Sequence, residues 1–198
     1  LTPRHFVPPT RGIEKAPERV DPERYLRTEV VERLIKVARV FDARWGRLPA
    51  LIVFQFHTGL RIGNTMALRW RDIDLAAGTA TVRRTKNGDP HVAALTDRCI
   101  AELAKLPNQF PDAWVFGNRA GTKPYDFRRL WLRVTKAAGL SGRGIHQLRH
   151  GCGTALAMAG INQAQIMAVM GHKTLVASAR YIHSNVADRK AVVARVFE

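Results

Sequence analysis

Residues 146–181 read His146-Gln-Leu-Arg149-His150-GCGTALAMAGINQAQIMAV-Met170-Gly171-His172-KTLVASA-Arg180-Tyr181. The segment places arginine, histidine and tyrosine at fixed offsets, and neither Asp nor Glu occurs between Asp126 and Asp188. These side chains donate hydrogen bonds, and most of them carry positive charge, so the pattern is typical of a site for an anionic group. Hard divalent cations are held through oxygen ligands, above all carboxylates, and the segment contains no carboxylate. It therefore predicts a phosphate-binding site that uses side chains alone, with no metal and no cofactor.

The composition favours a polyanionic partner. The 198 residues include 32 Lys and Arg against 16 Asp and Glu, which gives a net charge of +16 and a pI near 11.1. A charge of this size in a chain of 46% hydrophobic residues indicates nucleic acid binding. A basic protein of the ribosomal type would share the charge but would not need the Arg, His and Tyr pattern.

Cysteine usage and hydropathy bear on the compartment. Cys99 and Cys152 belong to no C-x-x-C pair or Cys/His cluster, so neither a disulfide framework nor a zinc finger is expected. The apolar run from Leu48 to Phe56 is too short to span a bilayer, and the first residues lack a signal pattern. We expect an intracellular, cytoplasmic protein that associates with the nucleoid and does not contact a membrane.

Turn signals and periodicity predict a mixed α+β fold, mainly α-helical, with a small antiparallel β-sheet. Residues 1–20 contain four prolines and no apolar period, which predicts an extended arm or linker, and residues 21–198 form a single domain. A β-hairpin is expected between Ile73 and Leu95, because polar and apolar residues alternate around the turn Lys86-Asn-Gly-Asp-Pro90. Helices are predicted at Thr28–Ala43, Ala50–Thr58, Asn64–Trp70, Thr96–Lys105, Phe127–Ala138, His146–Ala159, Asn162–Met170 and Ala187–Val196.

Three of these elements carry candidate functional residues. Arg61 follows the end of a buried helix, where an unpaired guanidinium is costly, although position alone also allows a surface arginine. Lys86 lies at the hairpin turn, where lysine is usually solvated but can also reach into a groove. On the helix from His146, one face is apolar, and the opposite face presents the chemistry and an open Gly153. The expected apolar face consists of Leu148, Cys152, Ala155, Leu156 and Ala159, and the polar face of His146, Arg149, His150 and Gly153.

Two other enzyme classes are disfavoured by their missing residues. His146 and His150 have the spacing of a metalloprotease H-E-x-x-H helix, but Gln147 replaces the glutamate that would act as general base. No G-x-x-x-x-G-K-[ST] segment occurs, which argues against an ATP-driven enzyme.

Taken together, the motifs resemble the catalytic domain of the tyrosine recombinases, the phage integrase family. The segment Thr58-Gly-Leu-Arg61-Ile, followed by Ala67-Leu-Arg-Trp-Arg-Asp-Ile-Asp74, is similar to the first arginine box of the family. Thr85-Lys-Asn-Gly88 is similar to its hairpin lysine, and His146-Gln-Leu-Arg-His150 to its H-x-L-R-H box. Met170-Gly-His172 and Arg180-Tyr181 resemble the last two motifs. Five motifs in this order make the resemblance specific.

The resemblance implies a site-specific recombinase or integrase that cleaves and rejoins DNA through a 3′-phosphotyrosine, for integration or excision of a mobile element. It implies Tyr181 as nucleophile, Lys86 as general acid, and His146 as proton relay, with the phosphate held by Arg61, Arg149 and His172. The arginines Arg69, Arg128, Arg129 and Arg143 are expected to contact the DNA backbone, although a solvated basic surface explains them almost as well.

The resemblance also implies partners and neighbouring domains. Double-stranded DNA is the expected substrate, with tetramers on paired sites that form through the C-terminal helix Ala187–Val196, and accessory DNA-bending factors. The helical DNA-clamping domain that often precedes this domain in the family is expected to be absent from the chain. Two alternatives stay open: a type IB topoisomerase, which relaxes DNA without joining two sites, and a DNA-binding module that forms no covalent adduct.

The sequence departs from the family pattern at two positions. Asn64 stands where a carboxylate often follows the first arginine, and Gly151 stands where Thr or Ser often follows the H-x-L-R-H box. The first departure puts in doubt how Arg61 is held, and neither removes a reacting group.

Overall fold

The computed structural model describes residues 26–83 and 90–171. The predicted arm, the hairpin turn with Lys86, and everything from His172 onward, including Tyr181 and the predicted C-terminal helix, lie outside the described residues. The described elements, in chain order, are α1 (Thr28–Phe41), α2 (Arg47–Thr58), α3 (Ile62–Ala67), a 3₁₀ turn (Trp70–Asp72), β1 (Ile73–Asp74), β2 (Thr79–Val82), β3 (His91–Ala94), α4 (Asp97–Ala104), α5 (Arg128–Ala137), α6 (His146–Met158) and α7 (Gln163–Met170).

Helix α2 lies at the centre of the fold. Every residue of this helix except His57 is buried, as expected for a helix that is apolar on nearly all sides. Helices α1, α4 and α6 pack around it. Helix α1 contributes an amphipathic stripe of Val31, Leu34, Ile35 and Ala38 to the same core. The end of α2 therefore has a fixed position, and the first arginine motif begins there.

The predicted hairpin is confirmed as part of a three-stranded antiparallel sheet in the order β1-β2-β3. Ala80 and Val82 of β2 are buried and alternate with half-buried Thr79 and Thr81. In the register between the last two strands, Val82 lies opposite His91. Because directly opposite residues share one face of a sheet, His91 points to the side of the sheet that Val82 buries.

The predicted helix signals are largely confirmed. Thr96 and Asn162 cap α4 and α7, since their side chains accept hydrogen bonds from the Cys99 and Gln165 backbone N–H groups. The domain is mainly helical with a small antiparallel sheet, which confirms the predicted fold class. Within residues 26–83 and 90–171, no helix is long and apolar enough to cross a membrane.

Two helices begin or end three residues away from the predicted position. Helix α2 begins at Arg47, so that Pro49 lies inside its first turn, where a missing N–H costs nothing, and the Asp42 carboxylate accepts from the Leu48 N–H at 2.8 Å. Helix α3 spans Ile62–Ala67 rather than Asn64–Trp70. It begins directly after Arg61 because the Arg61 carbonyl accepts from the following turn, and it ends where the Trp70 N–H bonds to the Ala113 carbonyl instead.

Gly151 has a packing explanation that the sequence did not suggest. A Cβ atom at this buried position would lie 2.5 Å from the Leu26 carbonyl oxygen and 3.0 Å from the Phe56 ring. The Ser or Thr that often stands here in the family has no room, because the chain entering α1 occupies that space.

We therefore expect Gly151→Ser to destabilise the domain. Overpacking of this kind costs about 1–3 kcal/mol, which equilibrium urea unfolding measures. Gly144→Ser is the matched control, because a Cβ there would meet no atom within 4 Å. Equal free energies of unfolding for the two variants would contradict the packing argument.

Candidate active site

Arg149 is buried between the ends of two helices. Only 4% of its surface is exposed, and its Nη1 donates to the Gly59 carbonyl and, at 2.9 Å, to the Met170 carbonyl. Gly59 is the C-cap of α2, and Met170 is the last residue of α7. The last carbonyls of a helix lack partners within it and carry partial negative charge. The guanidinium thus satisfies carbonyls from two converging helix ends, and these ends in turn stabilise its charge.

This arrangement corrects the predicted division of α6 into two faces. Arg149 and Gly153 are buried, whereas Ala159, which was assigned to the apolar face, is exposed. The prediction assumed a surface helix, but α6 packs against α2 and α7, so the part of its polar face that holds Arg149 and Gly153 is also covered. Gly153 does not provide the open approach that the sequence suggested.

Glycine is required where the three helices meet. Gly59 has a left-handed φ of +61°, and a Cβ atom there would lie 3.0 Å from the Cys152 sulfur and 3.2 Å from the Met170 Cγ. Burial raises the pKa of the Cys152 thiol to about 12, so this cysteine is neutral and packs as a small apolar residue, as predicted. A larger residue at Gly59 would push apart the helix ends that hold Arg149.

Arg61 follows the same convergence point by two residues. It is half-buried and is the N-cap of α3, with extended φ and ψ of −65° and 137°. No hydrogen bond or ion pair to its guanidinium forms among the described residues. Asn64 contributes only a backbone N–H to the Arg61 carbonyl at 2.9 Å, so it does not replace the missing carboxylate.

Gln55 holds the backbone on both sides of Arg61. This side chain is fully buried; its Nε2 donates to the Leu60 carbonyl at 2.5 Å, and its Oε1 accepts from the Thr65 hydroxyl at 2.6 Å. The two partners lie before and after Arg61 in the chain. A single amide therefore fixes the bend that carries the arginine, and sequence reasoning missed this residue because it sits inside an apolar run.

The two histidines of the H-x-L-R-H box contact one another. The His146 and His150 rings are perpendicular, with centroids 4.9 Å apart. His146 is the first residue of α6 and is exposed, and His150 is half-buried one turn later. The H-x-L-R-H box thus places Arg149 in the interior of the domain and His146 at its surface.

A third histidine reaches this neighbourhood from the sheet. His91 packs against Gly171, where an added Cβ would lie 3.3 Å from the imidazole Cγ and Nδ1. Burial lowers the pKa of His91; the charge of Arg149 lowers it further, and a hydrogen bond to the Val169 backbone opposes both. Sequence reasoning did not single out His91, although strand alternation opposite Val82 could have placed it on the inner face.

The four arginines expected to contact DNA differ in their surroundings. Arg69 stacks over Trp114, with its guanidinium carbon 4.1 Å from the ring centroid, and donates to the Asp112 carbonyl. Arg128 and Arg129 are exposed at the start of α5, and the Nη1 atom of Arg128 lies 3.9 Å from the Oδ1 atom of Asp126. Arg143 is half-buried, and its carbonyl accepts from the Trp131 indole at 2.7 Å. Their contact with DNA stays a prediction.

Lys86, His172 and Tyr181 lie outside the described residues, so their places in the site stay predictions. Only the flanking elements are described: β2 ends before the predicted lysine turn, β3 begins after it, and α7 ends at Met170, two residues before His172. Arg61, His146 and Arg149 are brought into one region by the ends of α2, α6 and α7.

We expect Gln55→Leu to destabilise the domain, because the Leu60 carbonyl and the Thr65 hydroxyl lose their partner in the core. An unsatisfied buried group costs about 1–3 kcal/mol, so chemical denaturation should show a loss of at least this size. Gln165→Leu, a similar change at an exposed position of α7, is the control and should alter stability by less than about 0.5 kcal/mol. Gln55→Leu with wild-type stability would show that the bridge is dispensable.

Comparison with known proteins agrees with this geometry. Type 1 fimbriae regulatory protein FimE of Escherichia coli K12 is 29% identical over 176 residues, which cover 83% of this chain and 87% of that protein. Tyrosine recombinase XerA of Saccharolobus solfataricus is 29% identical over 155 residues, covering 75% of this chain and 50% of that protein.

Solved structures share the fold. A crystal structure of XerA recombinase superposes with a TM-score of 0.70 at 22% identity, covering 98% of this chain and 70% of that one. The catalytic domain of bacteriophage HP1 integrase gives 0.67 at 18% identity, with 86% and 93% covered. The model of the phage integrase family matches residues 24–188. The resemblance inferred from the motifs is therefore confirmed, and the chain belongs to the phage integrase family.

Proposed function

We propose that this chain is a site-specific DNA recombinase that cleaves and rejoins strands through a 3′-phosphotyrosine intermediate. The observation that carries the proposal is Arg149, a buried guanidinium held at the ends of α2 and α7 beside the segment that carries Arg61. Family membership supports the same chemistry, because the relatives it matches include a tyrosine recombinase and an integrase.

The proposed reaction conserves the energy of the phosphodiester. The Tyr181 oxygen attacks the scissile phosphorus, the bond from phosphorus to the 5′-oxygen breaks, and a 3′-phosphotyrosine and a 5′-hydroxyl result. A 5′-hydroxyl from another strand then attacks the phosphotyrosine, releases Tyr181 and joins DNA. Each step exchanges one ester for another, so no ATP, metal ion or cofactor takes part.

The cationic side chains have separate roles in this proposal. Arg61 and Arg149 bind the non-bridging oxygens, where negative charge grows in the transition state. Arg149 suits this role because its position is fixed before DNA binds, which removes a reorganisation cost. Lys86 gives a proton to the departing 5′-oxygen, His146 relays the tyrosine proton, and His172 donates to the phosphate.

Double-stranded DNA is the proposed partner. The net charge of +16 supports it, as do two solved structures of similar fold, XerH bound to its difH substrate and the Tn1549 transposon integrase in complex with DNA. We assign the integration or excision of a mobile element as the biological outcome, and residues 21–198 as the catalytic domain. Arg69, Arg128, Arg129 and Arg143 then serve as contacts to the sugar-phosphate backbone.

Self-association on paired DNA sites through residues 187–196 completes the proposal. A chain truncated after Asn185 should still bind a single site but lose the slow-migrating complex of two duplexes in a native gel. Unchanged pairing would exclude this segment as the contact.

Covalent trapping tests the proposed reaction most simply. A nicked duplex carrying the crossover sequence of the native element should yield a protein–DNA adduct on a denaturing gel, and Tyr181→Phe should abolish it without weakening binding. Transfer of the trapped strand to a second site, rather than relaxation of supercoils, then distinguishes a recombinase from a type IB topoisomerase. Binding without any adduct would favour a DNA-binding module.

A further inference from the structure

Three arginines surround the indole of Trp45, which lies in the turn between α1 and α2. The guanidinium carbons of Arg47, Arg44 and Arg119 lie 4.8, 5.0 and 5.7 Å from the centroid of its ring. Arg44 and Arg119 are exposed, whereas only 7% of the surface of Arg47 is exposed. These four residues, which we name the Trp45 cluster, bring three cations around one aromatic ring.

The buried arginine of the cluster lacks a hydrogen-bond acceptor. The Nη2 atom of Arg47 is buried without a partner, and the guanidinium lies over two rings, that of Trp45 and, at 5.5 Å, that of Tyr125. Contact with aromatic rings favours the charge but offers no acceptor for this N–H group. A guanidinium also cannot lose its charge by deprotonation. Arg47 therefore keeps an uncompensated positive charge at the edge of the core.

No anion of the chain balances the cluster within the described residues. None of its three guanidiniums forms an ion pair there. The buried carboxylate of Asp42 is already engaged, because its Oδ2 accepts from the Leu48 N–H. Burial raises the pKa of Tyr125 to about 12, so its phenol stays neutral and supplies no negative charge. Like charges held close together repel one another, so an external anion would lower their energy.

We propose that the Trp45 cluster binds a backbone phosphate of nucleic acid, at a second site apart from the candidate active site. Helix α2 has 12 residues and is therefore about 18 Å long. The cluster contains its first residue, whereas Arg149 binds the carbonyl of its C-cap, Gly59. One phosphate cannot contact both ends of this helix, so the two sites hold different phosphates.

The chemistry of the cluster favours a phosphate as its ligand. Arg44 and Arg119 are exposed and present forked donors, which match the oxygens of a phosphate. Arg47 adds attraction from the interior and needs no direct contact with the ligand. The net charge of +16 makes a polyanion such as nucleic acid the partner of complementary charge. Contacts of this kind add affinity without sequence information.

A titration followed by NMR tests the site at Trp45 itself. The chain has four tryptophans, and the indole N–H resonance of Trp45 is assigned by its loss in Trp45→Phe. A duplex of about 40 base pairs and arbitrary sequence is the probe, because phosphate contacts do not depend on sequence. We expect the duplex to shift this resonance in wild type but not in the double variant Arg44→Gln, Arg119→Gln. No shift in wild type, or an equal shift in the double variant, would overturn the inference.

The salt dependence of duplex affinity provides a second readout. The slope of log affinity against log salt concentration should become shallower by about 1–2 in the double variant, since each phosphate contact contributes about 0.9. The matched control is Arg33→Gln with Arg133→Gln, which removes the same charge from exposed positions outside the cluster. Arg133 also stacks on a ring, with its guanidinium carbon 5.1 Å from the Phe41 centroid.

The control variant should keep the wild-type slope to within about 0.3, because it removes no contact of the proposed site. Equal changes of slope in the two double variants would show that only the total charge matters, and the inference would be wrong.

Two further probes separate nucleic acid from other anions in the same NMR titration. Poly-glutamate represents an acidic protein partner, and inorganic pyrophosphate represents a small phosphate ligand. We expect both to shift the Trp45 resonance only at higher concentrations of negative charge than the duplex requires. A response to poly-glutamate equal to that of the duplex, or tighter binding of pyrophosphate, would overturn the assignment to nucleic acid.

These measurements need no strand cleavage, so they can fail independently of the proposed function. If an adduct that depends on Tyr181 forms while the Trp45 resonance does not respond to DNA, only the inference of a second site is wrong. If the Trp45 resonance responds as expected and no such adduct forms, the second site is supported and the proposed function fails.

Discussion

The site depends on one buried cation held by the ends of two helices. A guanidinium that is almost fully removed from water is costly unless its donors find acceptors, and here the Gly59 and Met170 carbonyls provide them. These carbonyls would otherwise be unpaired at the ends of α2 and α7. The guanidinium gives them a hydrogen-bond donor, and they give the buried guanidinium its acceptors. Two backbone carbonyls at helix ends thereby fix the position of Arg149 within the described part of the chain.

Other residues support the positions of the two arginines. Gly59 and Gly171 do so because they are small, and Gln55 does so through its hydrogen bonds. Gly59 and Gly171 have left-handed backbone conformations, and an added Cβ would lie 3.0 Å from the Cys152 sulfur and 3.3 Å from the His91 ring. Gln55 provides a second, separate support, because it bridges the Leu60 carbonyl and the Thr65 hydroxyl around Arg61. The first arginine is thus held by its backbone, and the second by its side chain. The backbone on both sides of Arg61 is thus held without the carboxylate that the family often has at the position of Asn64.

Much of this could be predicted from the sequence. Local signals located the caps at Thr96 and Asn162, the hairpin and the order of the catalytic motifs, because each depends on residues close together in the chain. The burial of Arg149 could not be predicted, since its two acceptors lie 90 and 21 residues away. Helical periodicity alone assigned it to an open face. The clash that requires Gly151 arises from Leu26 and Phe56, which no local pattern connects to α6. His91 is an intermediate case, because alternation indicates its face but not the helix end it meets.

The most direct test of the account asks whether Arg149 neutralises charge on the scissile phosphate or only supports the fold. Adduct formation should be measured with wild type and Arg149→Ala on two nicked duplexes, one with a phosphate and one with an uncharged methylphosphonate at the scissile position. We predict that Arg149→Ala forms the adduct about 10²–10³-fold more slowly than wild type on the phosphate substrate. Most of this deficit should disappear on methylphosphonate, which has no charge to stabilise. An equal deficit on both substrates would contradict the account, because Arg149 would then act through structure alone.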